Sequence, residues 1–274
     1  MAKKSRVSRS ELEAQITTDL RKAFEKEIFR PARAEFRSSS LPFCPRKYVI
    51  HRRYGGAVHG ESYGFTFYVT IGTAIHEAVQ TFLGANKLLY GHWTCCGLTE
   101  YNRLGSRPCP ICGGPQKYEE LAPKSALGMH VDGVVPRYNG IFEFKSIGAK
   151  RVDPESPDEL KDPYEKHMLQ ASCYVHALNE EHGWELDKII FVYFSRDDPK
   201  KFKVFVRRPL PTIYSDSLVL YRKTLEDLES GVIPEGICSS ASVGRWEGCV
   251  YAGICFSPWL EDQLLPVSSL LRKT

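Results

Sequence analysis

The stretch GIFEFKS, residues 140–146, carries an acid and a base where an apolar alternation is otherwise continuous. Glu143 and Lys145 are two residues apart, so a strand puts both on one face. The segment MHVDGVV lies just upstream, and the Asn-Gly pair of the intervening PRYNG is a hairpin signal. A turn centred near Arg137–Tyr138 brings Asp132 opposite Glu143, within about one residue of register. Two carboxylates and an ammonium then meet at one sheet position. Neighbouring carboxylates resist ionising together. A divalent cation relieves that cost, and oxygen ligands suit Mg²⁺ or Mn²⁺. Such ions clamp a phosphodiester, polarise it and activate water. The lysine would stabilise charge on a pentavalent phosphorus or help to deprotonate the water. The plainer alternative is an ion pair on a solvated sheet face.

Two other stretches bear on that choice. GTAIHEA places His76 on a helix before the hairpin, and HMLQASCY places His167, Gln170 and Tyr174 on a helix after it. Gln170 and Tyr174 are four residues apart and share a helical face, from which both can point at substrate or at Lys145.

The nine cysteines offer different chemistry. The count is odd, and a reducing cytosol argues against disulfides. Cys109 and Cys112 form C-P-x-C-G, a zinc-knuckle pattern. The other half is the adjacent pair Cys95–Cys96, so the zinc ligands are Cys95, Cys96, Cys109 and Cys112, or His92 replaces one of the pair. Cys44 stands about 190 residues before Cys238, Cys249 and Cys255. Four thiolates so arranged can hold a [4Fe–4S] cluster. Zinc could occupy the same sulfurs, although the separation tells against a local ribbon. The centre would be structural, closing a long loop, with a redox role as a further option. Cys173, inside a helical pattern, is expected to be a small buried hydrophobe.

Gly72-x-x-x-His76, Asp132, Glu143-x-Lys145 and His167-x-x-Gln170-x-x-x-Tyr174 occur in the order found in the RecB-type branch of the PD-(D/E)XK nucleases, and over roughly residues 40–256 the chain resembles that family. CPRKY followed by a C-terminal cysteine triplet is similar to its iron–sulfur members, which include the CRISPR-adaptation exonucleases and the AddB nuclease domain. The resemblance implies His76, Asp132 and Glu143 as Mg²⁺ or Mn²⁺ ligands, with the Phe144 carbonyl as a fourth contact. It implies Lys145 as the catalytic lysine, and Gln170 and Tyr174 as the groups that position the lysine and a DNA end. The implied activity is DNA exonuclease action, chiefly on single-stranded ends, in repair, recombination, or CRISPR or phage DNA processing. A helicase or a recombination or CRISPR-adaptation protein is an expected partner. A non-cutting DNA-end-binding subunit or scaffold is the alternative.

The elements that must position these residues are read from periodicity. The resemblance implies that they form an α/β, restriction-endonuclease-like fold: a central mixed sheet of about five strands between helices. Residues 1–37 are expected to be a helical segment, with a helix from Ser10 to about Phe29 stopped by Pro31. Residues 38–260 form the nuclease domain, with a loop-like zinc module inserted at 91–115 and the iron–sulfur region at 238–255. Residues 261–274 are a tail. Helices are expected over 70–89, from Tyr164 to Glu181, and from Ser215 to Ser230. KIIFVYFSR and KFKVFVR form a second hairpin, and 148–163 is a mobile, charged loop over the cleft. The zinc module should project beside that cleft to contact DNA or a protein. Tyr48, Tyr54 and Tyr174 are candidates to stack on bases, and Arg46, Lys47, Arg52 and Arg53 to hold phosphates. The net charge of +4 is weak support for a polyanionic partner. The basic N-terminus precedes no apolar segment, and no run approaches the roughly 20 apolar residues of a membrane span, so a cytosolic protein is expected.

Overall fold

The computed structural model describes residues 9–25, 27–31, 36–54, 58–198, 200–246 and 249–257. In chain order its elements are α1 (Arg9–Glu25), β1 (Glu27–Pro31), α2 (Pro45–Tyr54), β2 (Val58–Ser62), α3 (Tyr63–Ala85), β3 (Tyr90–Cys95), β4 (Leu98–Leu104), β5 (Lys117–Glu119), β6 (Gly133–Val135) and β7 (Gly140–Ile147). There follow α4 (Ala149–Val152), α5 (Glu165–His182), β8 (Lys188–Ser195), β9 (Phe202–Arg207), α6 (Ile213–Glu229), α7 (Ala241–Trp246) and α8 (Ala252–Cys255). The expected tail at 261–274 lies outside the described residues.

The architecture is α/β. A seven-stranded mixed sheet runs β4-β3-β6-β7-β8-β9, with β5 also paired to β3. β7 and β8 are parallel and joined through α5, and the other pairings are antiparallel. Side-chain alternation gives the sheet two apolar faces. Ile141, Ile189 and Phe191 pack with Val175 and Leu178 of α5. Phe142, Phe144, Ile190 and Val192 pack with Val79 and Leu83 of α3. Gly183 ends α5 in the left-handed conformation, at φ 66°, where a glycine costs least.

Three expectations are corrected. The helix foreseen to Phe29 stops at Glu25, because Glu27–Pro31 pairs instead with Val58–Ser62 as a two-stranded sheet. The segment 91–115 is no loop excursion. β3 and β4 extend the central sheet to seven strands, anchored by Trp93, which is fully buried against Tyr118. The charged segment 148–163 opens with the short helix α4 and is anchored in the core rather than lying free over the cleft. Val152 and Leu160 are buried in the core under α5, and Leu160 donates its N–H to the Arg151 carbonyl at 2.8 Å. Its prolines and charges hid two apolar anchors.

Candidate metal centres and catalytic cleft

The β6–β7 hairpin pairs Gly133 with Phe142 and Val134 with Ile141, so one step further along that register Asp132 falls opposite Glu143. Asp132 Oδ2 accepts the Phe144 backbone N–H at 2.7 Å. Glu143 is fully buried, and its Oε1 accepts a hydrogen bond from the Lys145 ammonium. Its Oε2 is buried without a partner. Burial pushes both carboxyls above the usual range, and Lys145 pulls both back. Burial works against the lysine charge, but Glu143 and then Asp132 outweigh it and hold the ammonium above its ordinary pKa.

α3 brings His76 to the same place. Its Nδ1 lies 3.8 Å from Asp132 Oδ1, and its ring stands edge-on to Phe144 at 5.8 Å. Burial and then Lys145 lower its pKa, against a backbone hydrogen bond to Phe144. A neutral imidazole of this kind is a competent metal ligand. Gly72, one turn earlier, lets α3 approach β7, since a Cβ there would sit 3.0 Å from Ser146 Oγ.

Two participants escaped the sequence reading. Glu120 joins His76 and Asp132 in a group whose ligand atoms all lie within 4.8 Å of one another. Gln80, buried one turn beyond His76, donates to Glu120 Oε1 at 3.3 Å and to the Asp132 carbonyl at 2.9 Å. The i, i+4 spacing of His76 and Gln80 was a usable signal. Glu120 had none, because the pairing of β5 with β3 places it.

Gln170 and Tyr174 meet as their spacing implied, Gln170 Nε2 donating to the Tyr174 hydroxyl at 2.6 Å. Tyr174 is buried beside Glu143 and Asp132, whose charges add to the effect of burial on its hydroxyl. His167 pairs with the Tyr193 hydroxyl at 2.9 Å, and burial, with Lys145 next, lowers its pKa to about 3. A cleft of about 390 Å³ leads to the centre, lined by Tyr68, Thr73, His76, Lys145, Ser146 and Arg196. Arg196 lies over the Tyr68 ring at 5.6 Å and donates to the Ser146 carbonyl at 2.8 Å.

Cys95, Cys96, Cys109 and Cys112 form a second convergent group that could hold a metal ion. Adjacent cysteines ordinarily diverge. Here Cys96 and Gly97 make the two-residue turn between β3 and β4 with φ of 52° and 75°, which brings the two sulfurs to 3.7 Å. Cys95 and Cys112 Sγ are 3.6 Å apart. Backbone N–H groups of Ile111 and Gly114 point at Cys109 and Cys112 sulfurs at 3.4 Å. His92 is not part of this group; its Nδ1 accepts the Asn102 N–H at 3.2 Å.

Cys44, Cys238, Cys249 and Cys255 line one cavity of about 250 Å³. Cys44 immediately precedes α2, whose Lys47 N–H approaches its sulfur at 3.5 Å. Burial, and then the nearby Cys249, Cys44 and Cys238, push the Cys255 thiol up to about 12. These sulfurs are not among the described groups that converge within 4.8 Å, unlike the first set. Arg46 lines the same cavity with a buried, unpartnered Nε. Among the described residues, that atom and Glu143 Oε2 are the buried side-chain polar atoms without partners. Cys173 is buried in the core, as expected.

The proposed nucleic-acid contacts are partly redistributed. Tyr54 and Tyr174 are buried core residues and offer no stacking face. Arg53 Nη2 caps the end of α6 through the Asp227, Leu228 and Val232 carbonyls. Among the described residues no helix is long and apolar enough to cross a membrane.

No protein-family model and no curated protein matches the chain. The solved structure of a protein designated SSO0001 aligns with 89% of this chain and 96% of its own, at 13% identity and a TM-score of 0.38.

Proposed function

We propose that the chain is a divalent-metal-dependent deoxyribonuclease that hydrolyses phosphodiester bonds, acting as an exonuclease on single-stranded ends. One observation carries the reading. Asp132, Glu143, His76 and Lys145, from a loop, a strand and a helix, converge at the floor of a cleft, and Glu143 keeps a buried oxygen without a partner. A buried acceptor left unpaired in this way is costly unless a cation takes it.

Asp132, Glu143, His76 and Glu120 would hold Mg²⁺ or Mn²⁺, with the Phe144 carbonyl close by. The bound ion supplies charge neutralisation for the phosphodiester and a more acidic water. Lys145 remains an ammonium beside Glu143, so its part is to stabilise negative charge accumulating on the phosphate oxygens. Tyr174, braced by Gln170, walls the carboxylates and lies near enough to Lys145 for the two to interact electrostatically. Arg196 at the cleft mouth offers a guanidinium to an incoming backbone phosphate.

The other cofactors follow from sulfur spacing. Four thiolates at about 2.3 Å from one ion stand about 3.8 Å apart. The spacings of 3.6 and 3.7 Å in the Cys95 group therefore fit a single zinc ion. The wider Cys44 group suits a polynuclear [4Fe–4S] cluster, whose negative charge would answer the orphaned Arg46. None of the nine cysteines, all of which lie among the described residues, is in a disulfide, which suits a reducing cytosol.

The test is direct. Purified protein with Mn²⁺ or Mg²⁺ should degrade labelled single-stranded DNA, and Lys145→Ala and Asp132→Ala should not. Equal activity in all three proteins removes the assignment, and DNA binding without cleavage would make the chain an end-binding module.

A further inference from the structure

Beside the catalytic centre lies a second concavity with no part in the chemistry above. It measures about 360 Å³, within the range of roughly 300–1,000 Å³ typical of small-ligand pockets. Two guanidinium groups, of Arg37 and Arg52, and two imidazoles, of His51 and His130, line it with the rings of Tyr48 and Tyr221. No carboxylate is among the described residues that line it.

The walls are built rather than incidental. Phe36 stands edge-on to Tyr48 at 4.8 Å and to Tyr221 at 4.9 Å, which fixes both phenol rings. His51 Nδ1 engages the Tyr251 hydroxyl at 2.7 Å, which sets its ring plane. Arg37 bridges to Gly128 and lays its side chain across that residue, where a Cβ would meet Arg37 Cγ at 3.2 Å. Arg52 is near enough to Tyr48 for its charge to act on the hydroxyl.

The pocket is linked along the chain to the catalytic carboxylates. His130 precedes Asp132 by two residues of extended chain, with Val131 bridged to Leu121, so the two are about 7 Å apart along the backbone. On the other side Ser38 contacts the Gly128 carbonyl at 3.5 Å and hydrogen-bonds Tyr174.

A cup whose described lining carries two guanidinium groups and no carboxylate attracts an anion. Guanidinium forks match phosphate oxygens, and the part-exposed rings of Tyr48 and Tyr221 can accept a flat heterocycle. We propose that this pocket holds one nucleotide of a single DNA strand, its phosphate on Arg37 and Arg52 and its base against Tyr48 and Tyr221, next to the nucleotide being cut. That the nucleotide belongs to a strand rests on the nuclease reading; the recognition of a phosphate-bearing base does not.

The experiment is fluorescence anisotropy of a labelled single-stranded oligonucleotide with the full chain in EDTA, so that nothing is cleaved, across a salt series. The double variant Arg52→Ala/His130→Ala should weaken binding on the order of tenfold and lower the log–log salt slope by about one. Arg52→Lys should restore part of the affinity. Free dAMP should compete with the oligonucleotide on the wild type and not on the double variant. Unchanged affinity and slope would overturn the pocket. A protein that cleaves normally yet ignores these substitutions loses the pocket and keeps the nuclease reading. One that binds through Arg52 and His130 yet cleaves nothing with Mn²⁺ loses the nuclease reading and keeps the pocket.

Discussion

Asp132 accepts the Phe144 backbone N–H through Oδ2 at 2.7 Å while its Oδ1 faces His76 at 3.8 Å, so one carboxylate both clamps the hairpin and presents a ligand. The two duties are separable. Asp132→Asn keeps an acceptor for Phe144 and should melt near the wild-type temperature, but it should bind Mn²⁺ far more weakly in calorimetric titration. Asp132→Ala orphans the buried N–H and should lose about 1–3 kcal/mol of stability as well. If the two substitutions destabilise equally, the clamp is unimportant.

Glu143 and Lys145 form a buried pair, and removing one partner strands the other. Lys145→Met should cost about 3–5 kcal/mol in urea unfolding at neutral pH. Glu143→Gln/Lys145→Met should recover most of that loss, because neither residue is then a buried unpaired ion. A double variant no more stable than Lys145→Met would contradict this account of the pair.

His167 supplies a pH dependence with a definite sign. Its pKa falls from an ordinary value of 6.5 to about 3 in the folded chain, chiefly by burial. Between those values the unfolded state binds more protons. Stability contributed by the neutral ring is therefore present above about pH 6.5 and is lost as pH drops towards 3, with a slope no steeper than about 1.4 kcal/mol per unit. His167→Gln, which does not titrate, should flatten the denaturant midpoint between pH 4 and 7. An unaltered profile would mean that other groups dominate.

What was legible in the sequence was whatever the chain encodes over short spans. The hairpin register that sets Asp132 against Glu143 followed from one turn, and the meeting of Gln170 with Tyr174 followed from helical spacing. Glu120 was invisible, because only the β5–β3 pairing carries it to His76. β1 was misread as helix because its partner β2 lies about 30 residues away. The convergence of Cys95 and Cys96 depends on the left-handed Cys96, a backbone state that residue type alone does not announce. The capping role of Arg53 was hidden for a similar reason, since the carbonyls it caps are contributed by distant α6.

The two cysteine centres should come apart under substitution, since they occupy separate places in the fold: a turn at one end of the sheet, and a cavity between α2 and the C-terminal segment. Anaerobically purified protein should carry about one zinc and about four irons, with a visible absorption band. Cys109→Ser should abolish zinc and leave iron unchanged, and it should lower thermal stability because the β3–β4 turn loses its cross-link. Cys44→Ala should bleach the visible band and leave zinc unchanged. His92→Ala should alter neither, because its ring serves Asn102 rather than a metal. Zinc at both sites, with no iron and no colour, would overturn the cluster, because sulfurs that do not converge within 4.8 Å would then have to draw together around one ion on binding.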